Sequence, residues 1–80
     1  QDAYEWYEQQ QSGLGAEFIE EVEVGFSKLR QHPFHYGAVN AHLRRVKIDR
    51  FPYLIVFEIK ESVVFITSLH HVRKEPKADQ

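Results

Sequence analysis

The chain has 80 residues, ten of them Lys or Arg, twelve Asp or Glu and none Cys; this allows one small domain with a thin core and excludes disulfides and thiolate metal sites. Its longest apolar runs, residues 53–57 and 63–66, fall far short of the ~20 residues that span a bilayer. No signal-peptide pattern opens the sequence, so the expectation is a soluble, cytoplasmic protein. The net charge of −2 divides unevenly: residues 1–27 hold seven carboxylates and no Lys or Arg, residues 28–80 hold ten basic and five acidic side chains.

Residues 2–11 read as a first helix, with Ala3, Trp6, Tyr7 and Gln10 on one stripe and Tyr4 at its flank. Ser12-Gly13-Leu14-Gly15 breaks it. A second helix runs to about Leu29, where Phe18, Val22, Phe26 and Leu29 recur at the spacing of a buried face, with Leu14 and Ile19 nearby. Glu17, Glu20 and Glu21 stand early in it and Lys28 and Arg30 late, which complements the helix dipole. Gly25 inside this helix costs ~1 kcal/mol relative to Ala and implies close packing against a neighbour. His32-Pro33 ends the helix, because proline disfavours the α region in the residue before it. The two helices form an αα-hairpin.

Residues 32–42 read as a loop and are followed by three strands. Leu43–Phe51 alternates, with Val46 and Ile48 on one side and Arg45, Lys47 and Asp49 on the other. Residues 53–60 begin apolar on both faces, as a central or covered strand does. Residues 62–69 divide into Val63, Phe65, Thr67 and Leu69 on one face and Val64, Ile66 and Ser68 on the other. Pro52 marks a strand end or bulge. Lys60-Glu61-Ser62 is a hairpin turn without an Asn-Gly or Asp-Gly signal. Residues 71–80 carry no apolar pattern and are expected to form a flexible tail. The architecture is a single α+β domain over residues 1–80: an N-terminal αα-hairpin on a three-stranded antiparallel meander.

The candidate functional residues lie in the second half. Arg44, Arg45, Lys47 and Arg50 place positive charge on the first strand, which suits phosphate contact or stabilisation of a developing negative charge. A solvated strand face whose arginines pair with the helix carboxylates explains the same residues. His70, His71 and Arg73 crowd the end of the last strand. His71 with Arg45 and Arg73 supplies a proton-transfer group and cations for phosphodiester cleavage, provided the fold brings them together. A histidine that merely bonds backbone reads equally well. Tyr53 is either a substrate contact or an anchor. Trp6, Tyr4 and Tyr7 can stack bases, but their helical spacing points to packing. His32, His35 and His42 match no standard metal spacing, and no metal or cofactor is expected.

Glu5-Trp6-Tyr7-Glu8-Gln9-Gln10, Gly13-Leu14-Gly15 with Phe18, Arg44-Arg45 ahead of Arg50-Phe51-Pro52-Tyr53, and Leu69-His70-His71 with Arg73 and Pro76 together resemble the RelE/ParE superfamily of bacterial type II toxins. The likeness runs from Ala3 to Pro76 and is greatest to the ParE-type branch, often labelled plasmid-stabilisation proteins. It implies a growth-inhibiting toxin held inactive by a cognate antitoxin. The target it implies is DNA gyrase for the ParE-type branch, or ribosome-bound mRNA for the nucleases. The nucleases commonly carry an arginine where Leu54 stands and often end on a catalytic tyrosine, and no tyrosine follows Tyr53. A third reading is a non-catalytic or degenerate basic-sheet binding module. The family usually begins with a strand ahead of the first helix. Here that strand is expected to be missing, truncated or supplied by another chain, which leaves sheet edge or apolar surface uncovered, masked by the antitoxin or by a second copy in a homodimer.

Overall fold

The computed structural model describes residues 2–74. Helix α1 covers Asp2–Gln10 and helix α2 Leu14–Gln31; strands β1 (Leu43–Lys47), β2 (Tyr53–Lys60) and β3 (Val63–His71) follow. Short 3-10 turns occupy Pro33–His35 and Val72–Lys74. The strands pair antiparallel in the order β1-β2-β3. This is the expected α+β arrangement of two helices and a meander.

The core forms where the helical stripe meets the inward face of the sheet. Phe18, Val22 and Leu29 from α2 pack with Val46, Ile48, Phe51, Ile55 and Phe57, and Ala3 joins from α1. Complete burial of side chains such as Phe18 and Phe57 stabilises a small fold by about 1.5–3 kcal/mol each. Gly25 lies against the sheet: a methyl group there would stand 2.8 Å from Ile55 Cδ1 and 3.2 Å from Ile48 Cγ2. The close approach expected of that glycine is thus to β2 and to the chain leaving β1. At the other end of α2, His32 leaves the helical region at φ −141° just before Pro33.

Three elements differ from the sequence pattern. The first strand ends at Lys47 instead of Phe51. Arg50 takes a positive φ of 72°, so the chain turns sharply there and the alternation of Val46 and Ile48 outlasts the ladder. The third strand runs on to His71, so the expected tail is shorter: Val72 N donates to Pro52 O at 2.9 Å and ties the next turn to the β1–β2 corner. Residues 75–80 of that tail lie outside the described residues. Finally, the pairing of β2 with β3 shifts register between Val56 and Phe57, where Val56 faces Ser68 and Phe57 faces Ile66. Thr67 is the extra residue of this bulge, and its Oγ1 donates to Val56 O at 3.0 Å. A bulge reverses the alternation beyond it, so Leu69 shares the core face with Val64 and Ile66 rather than the face of Val63 and Phe65.

Among the described residues no helix covers the opposite face of the sheet. Cross-strand rows there run Lys47–Leu54–His70 and Arg45–Val56–Ser68. Leu54 and Val56 are nonetheless only 7% exposed; they stand on the central strand, with a paired strand on either side.

Candidate functional site

The register distributes the sequence-derived candidates over both faces of the sheet. Arg45 and Lys47 stand on the open face, with His70 in the Lys47 row. His71 pairs with Tyr53 on the helix-covered face. Arg45 and His71 therefore lie on opposite sides of the sheet, and the trio of Arg45, His71 and Arg73 is not brought together.

Three of the cations hold the scaffold. Arg44 Nη1 donates to Tyr36 O at 2.8 Å and its guanidinium lies 5.2 Å from the Phe34 ring centroid, which fastens the segment before β1 to that strand. Lys47 Nζ donates to the carbonyls of Ile48 and Phe51 at 3.1 and 3.2 Å, closing the β1–β2 corner. Arg50 bonds Glu17 at 2.6 Å, lies 3.8 Å from Glu21 and stands over the Phe51 ring at 5.6 Å. The hydrogen bond that Arg50 donates to Glu17, and then the Glu17 charge, hold the Arg50 guanidinium proton even more tightly than usual. Lys28 with Asp49 at 3.2 Å adds a second tie between α2 and the corner. Part of the acidic–basic division of the sequence is thus internal neutralisation between helix and sheet.

The histidines differ in environment. His70 Nδ1 stands 3.0 Å from Ser68 Oγ, while its Nε2 is buried with no hydrogen-bond partner. His71 Nδ1 accepts a hydrogen bond from Arg73 N at 3.1 Å. A neutral imidazole that accepts at Nδ1 carries its proton on Nε2, so His71 presents an N–H donor on its other side. Among the described residues no group of three or more His, Asp or Glu side chains could hold a metal ion. No helix there is long and apolar enough to cross a membrane.

What the fold does assemble is an aromatic cleft of about 500 Å³ at the end of the sheet, lined by Ala3, Trp6, Tyr7, Pro52, Tyr53 and His71. Tyr7 stands at its base, 5.2 Å from the Phe18 ring, 4.8 Å from Phe51 and 6.4 Å from Tyr53. Burial, and secondarily the neighbouring Tyr53, raise the Tyr7 phenol above its ordinary value. Trp6 lies edge-on to Tyr7 at 5.1 Å and stays 57% exposed, so only one of these two neighbours enters the packing that their helical spacing suggested. Tyr53 and His71 meet edge to face at 5.3 Å. The sequence offers Tyr53 and His71 as separate candidates; their adjacency follows from the β2–β3 register, and the bulge that sets it has no sequence signal.

The family described as the ParE toxin of type II toxin-antitoxin system, parDE, matches residues 1–76. Comparison with curated proteins finds no match, and comparison with solved structures finds none either.

Proposed function

Because the chain belongs to the ParE toxin family, and so to the toxins of type II toxin-antitoxin systems, we propose that it arrests growth by contact with DNA gyrase rather than by cutting RNA. Membership of a type II family implies an antitoxin as its partner. The observation that supports the gyrase reading is the separation of Arg45 from His71 by the sheet itself. Phosphodiester cleavage with a 2′-hydroxyl nucleophile needs a base, a leaving-group acid and cations within hydrogen-bond reach of one another. Arg44, Lys47 and Arg50 are meanwhile engaged in the scaffold. The position at which the related nucleases commonly carry an arginine is a buried leucine, Leu54. Inhibition through protein–protein contact requires none of that convergence.

The test is expression of the chain in a bacterium, followed by purified protein with gyrase and plasmid DNA. Growth arrest with accumulation of gyrase-linked DNA breaks is the expected result. Arrest without breaks, with new 5′ ends in translated mRNA that disappear in Arg45→Ala, overturns it in favour of the nuclease reading. One arrangement favours that second reading: Arg45, Lys47 and His70 share the open face. For a non-catalytic basic-sheet module, each phosphate contact would contribute about −0.9 to the slope of log K against log salt on duplex DNA, and a flat response excludes a nucleic-acid footprint.

A further inference from the structure

Strand β3 pairs with β2 along one edge, and its other edge has no strand beside it among the described residues. Its side chains are apolar on both faces of the sheet. Val63 and Phe65 pair with Lys60 and Glu58 on the open face; Val64 and Ile66 pair with Ile59 and the buried Phe57 on the helix face. On the helix face the sheet stops short of the last turns of α2. A hollow of about 450 Å³ remains there, between Phe26, Leu29 and Arg30 of α2 and Val63, Val64 and Ile66 of β3.

Arg30 is the one charged side chain in that lining. It stands exposed in the last turn of α2. The acidic residues nearest to the lining in sequence, Glu23 and Glu61, are not part of it. Among the described residues no ion pair involves Arg30, Glu23 or Glu61. Glu58 stands with Phe65 on the opposite face of the sheet. A further strand beside β3 would lie about 4.8 Å away, and its alternate residues would turn toward α2 and into the hollow. The bulge at Thr67 limits the regular part of the edge to residues 63–66 at this end, and these residues flank the hollow.

We propose that the β3 edge and this hollow form a docking site for an extended segment of a partner protein, which adds a strand to the sheet. The segment is apolar with one acidic residue. A large aliphatic side chain fills the hollow against Leu29 and Ile66, and a carboxylate two residues along, on the same face, meets Arg30. Apolar side chains on its other face lie beside Val63 and Phe65. Backbone hydrogen bonds supply the affinity of such an added strand, and the pocket selects its sequence. Charge complementarity favours this occupant over a second copy of the chain, because residues 62–74 contain no carboxylate to set against Arg30. The site is the same whether the toxin's target is gyrase or RNA.

The experiment titrates the full, isotopically labelled chain with acetyl-Ser-Val-Glu-Val-Leu-Val-Ser-amide and follows amide hydrogen exchange residue by residue. Slowed exchange at alternate residues of 63–66 is the expected result. N-methylation of every second peptide residue should abolish it in one phase and spare it in the other, as an added strand requires. Replacing the peptide's leucine by alanine should weaken binding about tenfold, and replacing its glutamate by lysine about fivefold. Arg30→Glu, at an exposed position, should reverse the order of the glutamate and lysine peptides, which a change in folding alone would not do. Unaltered exchange along β3, equal binding of the glutamate and lysine peptides, or an unchanged order in Arg30→Glu overturns the proposal. So does a self-associated chain whose sedimenting mass the peptide leaves unchanged, since the edge would then belong to a second copy.

Discussion

Between α1 and α2 the chain turns through residues 11–13, and the side chain that holds this turn comes from Glu8. Its Oε2 accepts from Gly13 N and its Oε1 from Gly15 N, both at 2.9 Å. Gly13 occupies the N-cap of α2 at φ 90° with no side-chain cap of its own, so the Glu8 carboxylate takes over the role that a capping Ser or Asp plays elsewhere. Glu8→Ala should therefore destabilise the chain by about 2 kcal/mol, the range for hydrogen bonds to a charged group. Glu8→Gln, which retains one acceptor, should lose clearly less; urea unfolding measures both. Gly15→Ala tests the same junction from the other side. Its methyl would stand 2.7 Å from Tyr4 O, a backbone atom that cannot step aside. The cost of overpacking, about 1–3 kcal/mol, should outweigh the ~1 kcal/mol of helix propensity gained, so the variant should unfold at lower urea.

Tyr7 carries a pH dependence whose sign follows from its surroundings. Burial first, and Tyr53 second, raise its phenol above the ordinary value of 10.0. Above that pH the unfolded chain loses the proton before the folded one does, so the folded state binds more protons and stability falls as pH rises. The contribution is complete below pH 10 and disappears as pH passes through the raised folded value. Thermal melts of the native chain should therefore drop across that alkaline window, and Tyr7→Phe should flatten the drop. An equal drop in both would place the alkaline sensitivity elsewhere.

At the scale of elements, the β2–β3 hairpin has a turn chemistry at odds with its geometry. Lys60 pairs with Val63, and the two residues between them, Glu61 and Ser62, both have positive φ, 50° and 67°. This is the pattern of a type I′ turn, which asparagine and glycine adopt and other residues resist. Replacing Glu61-Ser62 by Asn-Gly should raise stability by about 1 kcal/mol without changing the register, as a shift in urea midpoint at constant slope would show. The turn also indicates what sequence reading can and cannot reach. Helix extents, the strand order and the central position of residues 53–60 follow from periodicity and breakers, because those signals are local. The bulge at Thr67 leaves no local trace, so the alternation read through it sends Leu69 to the wrong face. The candidate site suffers in the same way. The residue types at Arg45, Tyr53 and His71 are visible in the chain, but which of them share a face is fixed by register, and register depends on the paired strand as much as on the residues themselves.

At the scale of the molecule, the two edges of the sheet are treated differently. The β1 edge is occupied: Arg45 N donates to Gly37 O at 3.1 Å, Val39 N to Leu43 O at 2.7 Å, and Ala38 bridges to Arg44. It also carries Arg44, Arg45 and Lys47, and charge on an edge strand opposes pairing with another chain. The β3 edge lacks both protections among the described residues. No other strand pairs with it, no proline or charged residue interrupts residues 63–69, and Val63, Phe65 and Ile66 are 50%, 48% and 45% exposed. Val63 and Phe65 lie on the open face and Ile66 on the helix side, beside a hollow it shares with Phe26, Leu29, Arg30, Ser62 and Val64. An edge with apolar side chains on both faces and an unsatisfied backbone ladder is the type of strand that associates. The isolated chain should therefore sediment with a concentration-dependent average mass. Phe65→Lys should shift it toward the monomer and raise solubility while leaving the thermal transition nearly unchanged, because position 65 lies outside the core. A concentration-independent monomer would mean that the bare edge carries no association, and a loss of cooperativity in Phe65→Lys would mean that Phe65 supports the fold after all.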